Sequence, residues 1–291
     1  MVYSMTGYGR AERTIGEKTF LVELKALNGK QYDIRLTLPQ TLKPFEFDIR
    51  NIISESLLRG SVECIITAKQ NGAAKSITLN TDLIKYFYNT IDSLANELHA
   101  EKENILSAVL RLPDVVANSS EVLSDEDFKQ FTDILNEAIN QLINYRKNEG
   151  AVLERDLMER ISNIEKLQPL IAASEPNRRI KIKENLIKLL NENAGKENYD
   201  EHRFEQEIIY YIEKIDISEE QVRLTSNCKY FKEVLLDKNI SKGKKLSFIL
   251  QEIGREINTT GSKAYDIDIQ RYVVEMKDEL EKAKEQILNV L

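Results

Sequence analysis

Three stretches in the first seventy residues alternate apolar and polar side chains with a period of two. Phe20, Val22 and Leu24 share one face of the first stretch, and Tyr32, Ile34, Leu36 and Leu38 share one face of the second. Val62, Cys64, Ile66 and Ala68 repeat the pattern, with Glu63 and Lys69 turned outward. Strict alternation predicts strands of a sheet with one wet face. Leu27-Asn28-Gly29-Lys30 connects two of them, and its Asn-Gly pair is a tight-turn signal. Between the second and third strands the period changes. Pro44 opens a helix in which Phe45, Ile49, Ile52, Ile53 and Leu57 form one stripe, and Gly60 stops it. Residues 1–72 therefore read as a small α+β unit, an antiparallel or mixed sheet covered by a helix.

After Asn71-Gly72 nearly every segment has helical spacing. A helix is expected from Asp82 to about His99, and long antiparallel helices between Ser124 and about Asn193. Within that run, Ala172 to Asn177 is the expected turn, because Pro169 and Pro176 flank it and a proline inside a helix removes a hydrogen bond. Gly195 and the polar residues to Asp200 mark another break. Further helices are predicted at about 201–214, 217–236, 244–257 and 266–288. The expected organisation is a sheet domain at 1–72, a long helical region at 73–200 and a C-terminal helical domain at 201–291. The fold class is α+β.

Composition narrows the function. Of 291 residues, 42% are hydrophobic and 31% charged, which excludes a mainly disordered chain. No apolar run reaches the roughly 18 residues of a membrane span, and Met1-Val2-Tyr3-Ser4-Met5 lacks the basic-then-apolar pattern of a signal peptide. A soluble, cytoplasmic protein is expected. Two cysteines in no CxxC pattern argue against a disulfide framework or a cysteine-ligated zinc. Two histidines, His99 and His202, lie in unrelated segments and make paired histidine acid–base chemistry a poor fit. The net charge of −7 is uneven: residues 1–72 carry +2, residues 241–291 carry 0, and the middle carries −9. The total does not point to nucleic acid, but a groove needs only a local basic surface, which the two ends could supply.

Two helical segments stand out chemically. Asp216, Glu220, Arg223 and Asn227 fall on one narrow helical stripe. The plain structural reading makes Asp216 an N-cap, Glu219 its capping-box partner, and Glu220–Arg223 a surface ion pair. In the second segment, Leu246, Leu250, Ile253 and Ile257 form a buried stripe, while Glu252, Arg255, Glu256 and Thr259 lie opposite and are expected to be exposed. Two carboxylates one turn apart can share a divalent ion through hard oxygen ligands, and an adjacent Arg can hold a phosphate bidentately. A charged i,i+4 surface face is the plain alternative. Asn258-Thr259-Thr260-Gly261-Ser262-Lys263 follows directly, with the amide, hydroxyls, glycine and amine of a phosphate contact, though not in a Walker pattern.

These blocks together resemble the YicC/YloC family of bacterial proteins over essentially the whole chain. Ser4-Met5-Thr6-Gly7-Tyr8-Gly9-Arg10 matches the family's opening motif, and Leu27-Asn28, Asp33 and Arg59-Gly60-Ser61-Val62-Glu63 fit its next blocks. Arg203-Phe204-Glu205-Gln206-Glu207, Asp216 to Leu224, Gly243-Lys244-Lys245-Leu246 and Gln251 to Ala264 supply the rest. Two positions depart: Gly29-Lys30 stands where many relatives have His-Arg, and Cys228 where many have His.

The resemblance implies a cytoplasmic endoribonuclease that cleaves single-stranded RNA with a divalent ion, Mg²⁺ or Mn²⁺, and assembles as a homo-oligomer, a hexamer. On that basis Glu220, Arg223, Glu252, Arg255 and Glu256 are the catalytic candidates. Asp216, Glu220, Glu252 and Glu256 are the metal-ligand candidates. Arg10, Lys30, Arg59, Asn258, Ser262 and Lys263 are the RNA-binding candidates, with Lys244 and Lys245 adding basic surface. The competing readings are a non-catalytic oligomeric RNA-binding or adaptor protein, in which the charged helices form subunit contacts, and a helical scaffold that binds no RNA.

Overall fold

The computed structural model describes residues 1–29, 32–57, 60–71, 77–99, 102–118, 123–194 and 201–291. Lys30 and Arg59 lie outside the described residues. The N-terminal sheet has four strands, β1 (Gly7–Ile15), β2 (Lys18–Leu27), β3 (Asp33–Thr37) and β4 (Ser61–Gln70), in the order β1-β2-β4-β3. β1–β2 and β2–β4 are antiparallel, while β3 runs parallel to β4. The Asn28-Gly29 connection therefore does not close a hairpin between neighbours, because β4 lies between β2 and β3. The physical reason is α1 (Glu46–Ser56): a helix between two strands is the connection a parallel pair requires. Phe20, Val22, Leu24, Val62, Cys64 and Ile66 are buried on the sheet's inner face, as the alternation predicts. Against them pack Ile49 and Ile53 of α1.

Residues 77–118 form a small separate unit. A two-stranded antiparallel ribbon, β5 (Ile77–Leu79) with β6 (Val116–Asn118), carries α2 (Thr81–Glu97) and α3 (Ile105–Val109). Ile105, Val109 and Val115 make its own core.

The expected helical hairpin between 124 and 193 is replaced by one helix, α4 (Asp125–Ala194), of 70 residues. At 1.5 Å per residue it is roughly 105 Å long. Ala172 to Asn177 is helical, and the Ser174 hydroxyl donates back to the Leu170 carbonyl. Pro169 and Pro176 are both exposed on the helix surface. Their missing N–H groups do not open the core, so the local turn signal loses to tertiary packing.

The first half of α4 covers the sheet through Phe131, Ile134, Leu135, Ala138 and Leu142. The second half joins another core through Leu153, Leu157, Ile161, Ile164 and Ile171. That core is completed by α6 (Ser218–Leu236), α7 (Gly243–Ala264) and α8 (Ile267–Ile287), while α5 (Glu201–Lys214) runs beside the end of α4. The buried residues thus form two clusters that share α4. No helix of the described residues is long and apolar enough to cross a membrane.

Folding brings the distant ends of the chain together. Ser4 pairs antiparallel with Val290, Met5 N–H donates to the Asn289 carbonyl at 2.8 Å, and Leu291 N–H donates to the Tyr3 carbonyl at 3.0 Å. The Asn28 side chain donates to the Leu288 carbonyl at 2.8 Å. Val2 lies directly on α4 at Gly150, where a Cβ would stand 2.1 Å from the Val2 carbonyl oxygen.

Two predictions follow from this packing. Gly150→Ala gains about 1 kcal/mol of helix propensity, but the clash is with backbone on both sides and cannot be relieved by a rotamer change. The net expectation is a loss of about 1–3 kcal/mol, read as a lower urea midpoint at unchanged m-value. Glu279 of α8 tests the α4–α8 contact. Burial pushes its carboxyl up, but hydrogen bonds from Asn163, Lys282 and Arg160 outweigh this and bring it down to about 2. A depressed carboxyl contributes stability above its unfolded pKa of about 4.3, and that contribution disappears as pH falls through the folded value. The stability difference between wild type and Glu279→Gln should be full at pH 6 and shrink steadily from about pH 4.5 toward pH 2. A pH-independent difference in denaturation midpoints would contradict this assignment.

Candidate functional site

The α6 and α7 helices pack antiparallel, and their sequence periodicity fixes what each shows to the other. On α6, Leu224, Cys228, Phe231 and Leu235 are buried, leaving Arg223, Ser226 and Tyr230 on an outer stripe. On α7, Leu246, Leu250, Ile253 and Ile257 are buried, leaving Lys245, Phe248, Glu252 and Arg255 outside. Between the stripes lies a cleft of about 310 Å³, lined by Val222, Arg223, Ser226, Asn227, Glu252, Arg255 and Glu256. Four of the five catalytic candidates, Arg223, Glu252, Arg255 and Glu256, therefore meet in one place.

Glu256 departs from the expected exposed position. It is 5% exposed, at the edge of the buried stripe, and still lines the cleft. Among the described residues its carboxylate has no hydrogen-bond or ion-pair partner, and the same holds for the Glu252 carboxylate and the Arg255 guanidinium. The Glu256 carboxylate oxygens keep contact with solvent at the cleft, so the group faces a ligand there without a protein partner.

Glu220 is placed elsewhere. Its side chain is buried and accepts from Lys263 Nζ at 2.7 Å, while the same ammonium donates to the Asp216 carbonyl at 3.0 Å. The expected Glu220–Arg223 pair does not form; Arg223 pairs with Glu219, one turn before it on the exposed face. Asp216 Oδ1 accepts from Ser218 N–H at 2.8 Å and so acts at the start of α6. Consequently the four carboxylates proposed as metal ligands do not converge. Among the described residues no group of three His, Cys, Asp or Glu side chains could hold a metal ion. Glu252 and Glu256 are the pair that shares the cleft.

The run Asn258 to Lys263 is also corrected. It is not a segment after the helix but its last turns, and its polar groups are engaged along the helix or behind it. Thr259 and Ser262 hydroxyls donate to the carbonyls four residues earlier, Thr260 is buried, and Lys263 holds Glu220. Gly261 reads as a loop residue in sequence, yet it serves close packing: a Cβ there would stand 3.0 Å from Val273 Cγ1 of α8. Asn258 remains exposed. Arg10 lies on β1, where its N–H donates to Gln141 of α4 and its guanidinium pairs with Glu12. The cleft helices meet α4 at Gln168, 27 residues further on, so roughly 40 Å of helix separates Arg10 from the cleft level within one chain.

The brace behind the cleft was not foreseen. Arg178 of α4 is 1% exposed and donates to the Lys263 and Ala264 carbonyls at 3.1 and 3.2 Å, and to Ile215 at 2.9 Å. Glu175 pairs with it at 2.6 Å. One guanidinium thus ties the end of α7 and the stretch before α6 to α4. Its only sequence signal is an Arg two residues after Pro176, in a segment expected to turn. The thiols play no chemical part: burial pushes both Cys64 and Cys228 up to about 12.

Two carboxylates beside one unpaired guanidinium, Arg255, and one paired at the rim, Arg223, give the cleft groups that can meet a phosphate. Comparison with known proteins gives the family. The family described as endoribonuclease YicC-like matches in both parts, the N-terminal region over residues 2–155 and the C-terminal over residues 171–291. The chain belongs to this family. A relative from Clostridioides difficile (strain 630), described as "Probable endoribonuclease YicC", is 33% identical over the full length of both chains. One of the same description from Haemophilus influenzae (strain ATCC 51907 / DSM 11121 / KW20 / Rd) is 29% identical, again over the full length of both. The division between the two family regions falls inside α4, within the stretch that packs on the second core.

Arg178→Met should cost about 3–5 kcal/mol, because it removes the ion pair with Glu175 and leaves three carbonyls without their charged donor. Arg271→Met, at an exposed arginine of α8, should stay within about 0.5 kcal/mol. Chemical denaturation of the two variants beside wild type makes the comparison.

Proposed function

We propose that this protein is an endoribonuclease that cleaves single-stranded RNA in the α6–α7 cleft, with a divalent ion and as a homo-oligomer in the cytoplasm. The observation that carries the reading is Glu256: a largely buried residue whose carboxylate opens on the cleft, without a protein partner, beside unpaired Arg255. Family membership supports RNA as the substrate class. Arg255 and Arg223 grip the scissile phosphate and take up the negative charge that grows on it; Arg223 exchanges Glu219 for the phosphate. Glu256 accepts the proton of the attacking hydroxyl, which belongs either to water or to the neighbouring ribose 2′ position, as its oxygen bonds to phosphorus; the bond from phosphorus to the departing ribose oxygen breaks, and solvent water protonates that oxygen.

Mg²⁺ or Mn²⁺ fits the Glu252–Glu256 pair, since Mg²⁺ commonly binds one or two carboxylates and completes its shell with water and phosphate oxygens. When bound, the ion supplies Lewis-acid polarisation and lowers the pKa of the attacking group. Glu220, held by Lys263, is a buried support in this scheme rather than a ligand. Oligomeric assembly, a hexamer by family resemblance, is also part of the proposal. Arg10 is far from the cleft within one chain, so a shared RNA path would draw it from a neighbouring subunit.

The adaptor reading draws on the pairs already formed inside the chain, Glu219–Arg223 and Glu220–Lys263. Labelled single-stranded RNA separates the two. Wild type should cleave it, chelator should stop cleavage, and Glu256→Gln should cut roughly 10²–10⁴-fold more slowly. Because the Glu256 carboxylate makes no hydrogen bond or ion pair within the described residues, the stability of Glu256→Gln should change by under about 1 kcal/mol. RNA retained without cleavage would favour the adaptor, and a variant that loses fold and activity together would make Glu256 structural.

A further inference from the structure

The cleft's lining ends at Glu252 and Asn227, but the two helix faces that form it go on. One turn further along each helix the exposed stripes continue with aromatic and basic side chains: Phe248 and Lys245 on α7, and Tyr230 on α6. Phe248 is 55% exposed and Tyr230 is 44% exposed. Lys245 Nζ stands 5.1 Å from the centre of the Tyr230 ring, which shows that the two stripes face each other here as they do at the carboxylates. Phe248 makes no ring contact within the described residues. It precedes Glu252 by four residues, so its side chain lies on the same helix face about 6 Å along the axis.

We infer that Phe248 and Tyr230, with Lys245, form a base-stacking subsite for the nucleotide next to the scissile phosphate. The inference rests on the endoribonuclease reading for the identity of the ligand, and on the stripe geometry for the subsite itself. A flexible single strand is gripped sequence-independently by aromatic faces for its bases and cations for its phosphates. Here both occur on one continuous surface with the cleft. Lys245 orients the tyrosine ring through a cation–π contact and reaches solvent for a phosphate. Neither aromatic ring is needed for the core, since α6 and α7 bury their Leu, Ile and Phe231 positions instead. Paired strands keep their bases stacked on each other and cannot use such a site, so the subsite favours single-stranded RNA over duplex.

The test measures affinity of the full chain, with chelator present, for a short single-stranded oligoribonucleotide and for the same backbone with abasic residues. Wild type should prefer the base-bearing strand by roughly 5- to 100-fold, the range for loss of a stacked base. Phe248→Ala and Tyr230→Ala should lose most of that preference while binding the abasic strand like wild type, and Phe248→Trp should retain it. In cleavage assays the alanine variants should raise KM with kcat little changed. Equal affinity of wild type for both strands, or alanine variants that bind like wild type, would overturn the subsite even if the protein cleaves RNA. A fall in the light-scattering mass of Phe248→Ala without loss of base preference would overturn it too, by making the face a contact between copies of this chain. Base-dependent binding lost in Phe248→Ala, in a protein that never cleaves, would uphold the subsite and remove the nuclease reading alone.

Discussion

The continuity of α4 is the constraint on which the remaining architecture depends. The sheet core and the three-helix core share this helix and the short N-terminal segment laid across it. A break anywhere between Leu142 and Leu153 would leave their relation to that segment alone. Two prolines inside the helix cost about 3 kcal/mol each in an isolated interior position. They lie seven residues apart, on the same exposed side, so the hydrogen bonds they remove are lost on the side turned to water. On the other side Ile161, Ile164 and Ile171 are completely buried, each contributing about 1.5–3 kcal/mol by leaving water. Arg178 then fixes the helix beyond the second proline through three carbonyls. Burial and the clamp together outweigh the local penalty.

That balance also explains which parts of the structure were legible in the sequence. Period-two and helical spacing report which residues share a face, and β2, β4, α6 and α8 lie where those patterns put them, while α7 runs two turns past its expected end. The cleft was legible for the same reason: Arg223, Glu252 and Arg255 belong to outer stripes that spacing alone identifies. Spacing says nothing about which stripes meet. The Glu220–Lys263 pair joins residues 43 positions apart, and the insertion of β4 between β2 and β3 depends on a crossover, so neither has a local signature. Glu256 was misplaced because it sits at the margin of the apolar stripe, where the neighbouring helix decides burial. The turn expected at Ala172 to Asn177 failed because proline reports a local cost, while the outcome is set by tertiary contacts. Gly261 misled in the opposite sense, since its missing side chain serves the approach of α8.

The cleft itself is held by cations that never enter it. Where α6 passes into α7, the buried Lys242 ammonium donates to the Leu235 and Asp237 carbonyls at 2.7 and 2.6 Å. At the other end, Lys263 joins the end of α7 to Asp216 and Glu220, and Arg178 ties both to α4. The contacts to Leu235, Asp237, Lys263, Ala264 and Ile215 place positive charge on carbonyls at or just beyond a helix C-terminus, where the helix dipole favours it. With both ends tied, α6 and α7 cannot splay without breaking charge-assisted hydrogen bonds in a region largely removed from water. The width between Arg223 and Glu256 is therefore a property of the scaffold rather than of a bound ligand. Preorganised charge is what transition-state stabilisation requires, because groups already in place need no reorganisation when the phosphate charge develops. The long charged side chains at the rim, Arg223, Glu252 and Arg255, remain free to adjust to a flexible strand, while Glu256 beneath them is fixed by burial. A rigid floor with a mobile rim suits a substrate whose backbone is uniform and whose bases vary.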